Sequence, residues 1–272
     1  MITKININNL NEPELIPYRT LRQSVEHFHQ GMFIAEGEKV VRRLLESKLY
    51  VLSMLITPER LKHYEELITA RAENIKVFIA EKNLLETIVG FNLHQGVMAL
   101  GKIPVQASLE SVLSESMPPY LFVVIDGLTN SENIGVLVRN CAAFGVQAVL
   151  AGETSSSPYL RRAVRNSLGT VFKIPVVHCE NLAGILQTLR NEHEFEIIAA
   201  HPHSEKCSLQ SVDFTGNCCI VFGSEGEGIS QKVLSVCSIA AAIPMQMGVD
   251  SLNVANANVV FLYEAARQRD KL

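Results

Sequence analysis

The sequence predicts an α/β protein in two parts, a small α/β domain followed by a mostly parallel sheet covered by helices on both faces. Three features carry this expectation. Strand-length apolar runs alternate with helix-length segments over roughly the first 100 residues. A stretch holding Pro104, a Ser/Glu-rich middle and Pro118-Pro119 then breaks the alternation. Beyond it, about six further strand candidates are again separated mostly by helices. The expected boundaries are a first domain at 1–104, a linker at 105–118 and a second domain at 119–272.

Taken in order, residues 1–15 are a polar, asparagine-rich leader without the charged-then-apolar pattern of a signal peptide. Residues 18–30 read as a helix carrying Arg19 and Arg22. A strand at 32–35 turns at Glu36-Gly37 into a helix with apolar Val40, Val41, Leu44 and Leu45 and basic Lys39, Arg42 and Arg43. A strand at 50–56 ends at Thr57-Pro58, where the proline starts the next helix. A strand at 76–80, a helix at 81–89 and a strand at 97–101 complete the first domain.

In the second domain a strand at 120–125 ends at Asp126-Gly127, and a polar loop leads to a helix at 134–144 closed by Gly145. A strand at 147–151 and a serine-rich loop follow, and Pro158 opens a helix with Arg161, Arg162 and Arg165. Strands are expected at 171–177, 195–200, 219–222 and 239–243, with a helix at 182–193 and a long apolar helix opened by Ser251-Leu252-Asn253. In such sheets ligands sit at the carboxyl ends of strands, where Asp126, Gly223 and Pro244 fall.

Composition narrows the function classes. A chain 47% hydrophobic and 19% charged is that of a well-cored globular protein, and its longest apolar runs are too short to span a bilayer. No membrane partner is therefore expected. Six cysteines without disulfide-framework spacing point to reduced thiols and a cytoplasmic location. A net charge of −4 gives no general pull toward nucleic acid, so any such site must be a local patch. His201-Pro202-His203 with Cys207 and Cys218-Cys219 lacks the Cys-x-x-Cys pair of a zinc site, and no metal is expected.

Three loops carry chemistry. Gly223-Ser224-Glu225-Gly226-Glu227-Gly228 allows close backbone approach, but it lacks the Lys-Ser/Thr of a P-loop and the third glycine of a dinucleotide fingerprint. Phe222 stands where a nucleophile elbow needs glycine. Its two carboxylates disfavour a phosphate and suit a cation. Asn133 is placed to cap its helix, and Arg139 is an arginine in an otherwise apolar helix, either reaching solvent or meeting an anion. Asp250 or Ser251 is placed to cap the last helix, with Asn253 in its first turn.

Asn133-x-Gly135-x-x-x-Arg139, then Phe222-Gly223-Ser224-Glu225-Gly226-x-Gly228, then Ile243-Pro244-Met245 and Ser251-Leu252-Asn253-Val254 occur in that order. This resembles the three signature motifs of the SpoU/TrmH family of RNA ribose 2′-O-methyltransferases in the SPOUT superfamily, over about residues 120–269. More loosely, 19–102 is similar to the family's L30e/L7Ae-like substrate-binding domain, with Ile34-Ala35-Glu36-Gly37-Glu38 as its recurring element. The resemblance implies a sheet whose C-terminal segment threads a trefoil knot, and S-adenosylmethionine bound there by Gly223, Ile243 and Leu252, with Phe222, Gly228, Met245 and Asn253 as neighbours. It also implies a homodimer whose active site is shared, with Arg139, Asn133, Glu225, Asn253 and Ser251 as catalytic residues. RNA contacts are expected at Arg161, Arg162, Arg165, Lys39, Arg42, Arg43 and Arg22. The implied substrate is RNA, not DNA, and rRNA ahead of tRNA. The alternative is a non-catalytic RNA- or ribosome-binding protein that keeps the fold. Asn140-Cys141 after Arg139, Ala255-Asn256 after Val254 and a glycine displaced to Gly248 depart from the usual motifs, which bears on substrate positioning.

Overall fold

The computed structural model describes residues 2–89, 96–201 and 207–270. They fall into two compact units that divide near Val105, and the first unit also takes Tyr159–Phe172.

The sheet of the first unit contains β1 (Ile2–Asn6), β2 (Met32–Glu36), β3 (Val51–Ile56), β4 (Ile75–Ile79) and β5 (Val97–Lys102), in the order β1-β4-β3-β5-β2. Ile2–Asn6 of the polar leader is thus a strand, parallel to β4. Its polar make-up suits an edge position, which has only one paired side. The helix expected at 18–30 is two pieces, Ile16–Arg19 and Ser24–His29. Between them Thr20 turns its hydroxyl back to the Ile16 carbonyl at 2.8 Å, a local bond that competes with helix propagation. Helix Glu38–Glu46 buries Val40, Val41, Leu44 and Leu45 as its spacing requires.

The basic helix Arg161–Asn166 belongs to this unit. Phe33 meets both Tyr159 and Phe172, with ring centroids 5.5 and 5.3 Å apart. Arg161 donates to the Glu36 carboxylate at 2.8 Å and is only 13% exposed, and Arg43 donates to the Leu168 carbonyl at 2.8 Å. The strand expected at 171–177 is consequently divided. Thr170–Phe172 is a 3-10 turn, Pro175 lacks the N–H a ladder needs, and the strand begins at Val176.

The second unit holds β6 (Leu121–Asp126), β7 (Ala148–Ala151), β8 (Val176–His178), β9 (Glu196–Ala200), β10 (Cys218–Gly223) and β11 (Ile239–Ala241), all paired parallel in the order β11-β9-β10-β6-β7-β8. One face buries Phe122, Val124, Leu150 and Val221 against Leu182, Leu186 and Leu189 of helix Leu182–Glu192 and against Val233. Leu109 and Val112 of helix Leu109–Glu115 join that core, so much of the stretch expected as a linker is packed structure. On the other face Phe222 lies edge-on to Phe261 of helix Val254–Gln268, ring centroids 5.7 Å apart. The chain leaves β6 for a helix toward β7 and leaves β10 for one toward β11, in opposite directions along the sheet. The crevice between β6 and β10 is therefore the switch point at which such sheets bind ligands.

All six cysteines are free. Burial pushes the thiols of Cys179 and Cys237 up to about 12 and that of Cys218 up to about 11, which keeps them protonated and unreactive. Among the described residues no helix is long and apolar enough to cross a membrane.

Candidate active site

At the switch point Asp126 and Gly223 are register partners, each ending its strand. The Asp126 side chain, 7% exposed, accepts from the Ser230 backbone N–H at 2.7 Å, so the end of β6 anchors the far end of the loop leaving β10. Within that loop Ser224 and Gly228 exchange two backbone hydrogen bonds of 3.0 Å, and Glu227 N–H donates to Ser224 Oγ at 3.1 Å. The loop closes on itself so tightly that a Cβ on Gly223 would lie 2.1 Å from the Gly228 carbonyl carbon. Gly228 itself adopts φ +71°, a conformation that favours glycine. Glu225 and Glu227 stand exposed on this loop.

Two expected caps move. Helix Ser131–Ala143 is capped by Asn130, whose Oδ1 accepts from Glu132 N–H at 2.9 Å and Asn133 N–H at 3.3 Å. Asn133 is thereby freed, and its Nδ2 donates to Glu225 Oε1. Helix Val254–Gln268 is capped not by Asp250 or Ser251 but by Asn253, whose Oδ1 accepts from Ala255 N–H at 3.0 Å. Its Nδ2 donates to Asn133 Oδ1 at 3.2 Å. An ionised carboxylate only accepts, so Asn133 must offer it the NH₂ and keep its oxygen for Asn253. Every amide orientation in the chain Glu225–Asn133–Asn253 follows from that. The three motif loops, far apart in sequence, are one hydrogen-bonded unit.

A cleft of about 450 Å³ opens beside them, walled by residues 223–229, Asp250, Ser251, Leu252, Asn253 and His201. A smaller apolar cavity of about 60 Å³, lined by Ala200, Ala241, Ile243, Met245 and Phe261, shares Ser251, Leu252 and His201 with it. Gly223, Gly228, Leu252, Asn253 and Ser251 thus wall the cleft, and Ile243 and Met245 the cavity beside it. Phe222, 1% exposed, lines neither space and is packed in the core against Phe261. Among the described residues no lysine or arginine lines either space, and the two glutamates favour a cation over a phosphate.

Arg139 is exposed on the outer face of its helix and has no hydrogen bond or ion pair among the described residues. It follows Asn133 by six residues, roughly 9 Å along the axis, so it is not beside the network of its own chain. In the first unit Lys39, Arg22, Arg162 and Arg165 are exposed, and Arg42 lies over the Tyr64 ring and 3.8 Å from Glu46. Arg43 and Arg161 are engaged with Leu168 and Glu36 as described above. No group of three or more His, Cys, Asp or Glu is placed to hold a metal among the described residues, and Pro202 and His203 lie outside them. Sequence reading missed His201 as a wall residue and Asp126 as an anchor. The one available signal was an acid at the end of a fully apolar strand.

A family model described as the SpoU rRNA Methylase family matches residues 120–263, and one described as RNA 2′-O ribose methyltransferase substrate binding matches 34–104. A 23S rRNA (guanosine-2′-O-)-methyltransferase of Coxiella burnetii is 30% identical, covering 90% of this chain and 94% of its own. An uncharacterised tRNA/rRNA methyltransferase of Mycobacterium tuberculosis is 31% identical, covering 88% and 82%. The fold matches the crystal structure of the SpoU methyltransferase AviRb from Streptomyces viridochromogenes with TM-score 0.82 and 23% identity, over 95% and 98% of the two chains. It also matches an AdoMet-bound rRNA methyltransferase from Sinorhizobium meliloti with TM-score 0.80 and 21% identity, over 97% and 98%.

Proposed function

The chain belongs to the SpoU rRNA Methylase family, and from that premise we propose how its residues carry out S-adenosylmethionine-dependent methylation of an RNA ribose 2′-hydroxyl. The observation that carries the residue assignment is the Glu225–Asn133–Asn253 chain beside the cleft. S-adenosylmethionine supplies an electrophilic methyl group on a positively charged sulfonium. The cleft fits such a cofactor, since glutamates face its wider part and apolar side chains line the cavity that continues it. Gly223, Gly228, Ile243, Met245, Leu252 and Asn253 hold the cofactor, and Phe222 anchors the end of β10 in the core.

In-line transfer depends on placing two reacting atoms, so most of the work of the protein is orientation. Asn133 and Asn253 fix the geometry of the loops, Glu225 ties the glycine loop to them, and Ser251 stands at the junction of cleft and cavity. Arg139 clamps an RNA phosphate and orients the 2′-oxygen. A planar guanidinium offers paired N–H donors that match two phosphate oxygens. Arg139 shares an outward face with Val136, while Val260 and Tyr263 are exposed on the neighbouring last helix. A second copy of the chain covers these apolar groups and brings its Arg139 to this cleft, which makes the enzyme a homodimer with composite active sites.

The substrate is rRNA of the 23S type, following the relatives' activity and the substrate-binding region at 34–104. Lys39, Arg22, Arg42, Arg162 and Arg165 contact its backbone, with Arg43 and Arg161 shaping that surface from beneath. The buried, protonated thiols suit a cytoplasmic setting. Tritium transfer from labelled S-adenosylmethionine to bulk RNA tests the activity, and 2′-O-methyl mapping in cells lacking the gene tests the target. A missing methyl group in 23S rRNA is expected. Loss of a tRNA methyl group alone would overturn the substrate, and no transfer to any RNA would overturn the catalytic reading.

A further inference from the structure

Asn140, half-buried, stands seven residues after Asn133, two helical turns on and on the same face of helix Ser131–Ala143. Its Nδ2 donates to the backbone carbonyl of Ala255 at 3.0 Å. The N–H of that same residue is the donor that Asn253 Oδ1 accepts at 3.0 Å. The first turn of the last helix is therefore gripped at two points by one face of one helix, Asn133 holding the Asn253 side chain and Asn140 the Ala255 backbone. One hydrogen bond fixes a distance. Two of them about 10 Å apart along a helix also fix the rotation of the turn they hold. Both residues of the second bond are points where the sequence departs from the usual motifs, and in the structure the two departures meet.

We propose that Asn140 is a positioning residue for methyl transfer, acting through Ala255 on Asn253 and from there on Asn133 and the Glu225 loop. It touches neither wall of the cleft, so its influence runs through the network. The inference rests on the reading above, in which that network holds the cofactor loop. A carbonyl has two lone pairs, so the Asn140 bond adds to the helical bond at Ala255 without replacing it. Removing it should leave the helix formed but free to rotate.

Asn140→Ala deletes the donor, and Asn140→Asp puts a carboxylate against the carbonyl at nearly unchanged size. Steady-state kinetics on the intact enzyme should show kcat lowered, or KM for S-adenosylmethionine raised, by about threefold to tenfold, the range for one missing hydrogen bond. The aspartate should be the worse of the two. KM for RNA and the cooperativity of thermal unfolding should stay as in wild type. In an Asn253→Ala background either substitution should add nothing, since its path runs through Asn253. Wild-type kinetics in both variants, effects that multiply with Asn253→Ala, or equal losses in RNA affinity and melting temperature would each overturn the proposal. If Asn253→Ala is itself fully active, the network reading falls and this inference with it. If Asn253→Ala is impaired and Asn140→Asp is not, only this inference falls.

Discussion

In the proposed function the loops around Asn133, Glu225 and Asn253 and the basic surface of the first unit meet opposite demands. The loops place atoms, and they do so with short neutral side chains and backbone groups that lock one another, as Asn133 does between Glu225 and Asn253. The basic surface, as proposed, captures a polyanion with long side chains, of which the less exposed are held by the protein itself, Arg161 by Glu36 and Arg43 by the Leu168 carbonyl. Geometry is intolerant in the first region and redundant in the second. Substitutions should therefore act steeply and on the cofactor in one, and gradually and with salt dependence in the other.

The sharpest break comes at Gly223. A Cβ there meets backbone, which cannot swing aside as a side chain can, whereas a Cβ on Gly226 meets nothing within 4 Å. Gly223→Ala should cost on the order of 3 kcal/mol or abolish S-adenosylhomocysteine binding in calorimetry. Gly226→Ala should bind like wild type. Equal behaviour of the two would mean that the loop is not held as described.

Next in size are the arginines. Arg161→Ala leaves the Glu36 carboxylate, among the described residues, with the more distant Arg165 at 3.4 Å, and should lower unfolding stability by about 2 kcal/mol. Arg162→Glu or Arg165→Glu should instead raise KM for RNA several-fold and flatten its dependence on salt, by about 0.7 in log–log slope for each RNA phosphate that is no longer neutralised. Their kcat should not change. A fall in kcat without a change in salt slope would place these residues in the chemistry instead.

The smallest effect concerns pH and touches both units. Burial lowers the pKa of His27 in the first unit, against a weaker upward pull from Glu26, and lowers that of His178 in the second. As pH falls through the ordinary histidine range, the unfolded chain takes up these protons before the folded one, so stability is full above that range and declines below it. The melting temperature should drop by a few degrees between pH 7 and pH 5, and by less in His27→Gln. An unchanged slope in that variant would show that His27 is not the group titrating.

Much of this was legible in the sequence. Apolar runs such as 120–125 and 219–222 announced buried parallel strands, and Gly145 ends its helix with positive φ as its position suggested. What escaped was set by tertiary contact. Ile2–Asn6 carries too few apolar side chains to read as a strand until β4 supplies a neighbour. The 171–177 run looked like one strand because its division between two units leaves no mark on periodicity. Asn130 and Asn133 are equivalent as caps by composition, and only the carboxylate of Glu225 distinguishes the asparagine that caps from the one that bridges.

The claim that the active site is assembled from the network of one chain and the arginine of another is tested most directly by mixing two inactive proteins. Arg139→Ala and Asn133→Ala dimers should each be nearly inactive alone. After subunit exchange, half of the dimers carry both variants, and one of the two sites in each pairs an intact network with an intact Arg139. Methyl-transfer activity should then recover to about a quarter of wild type. A mixture as inactive as its parents would contradict the account and return Arg139 to the site of its own chain.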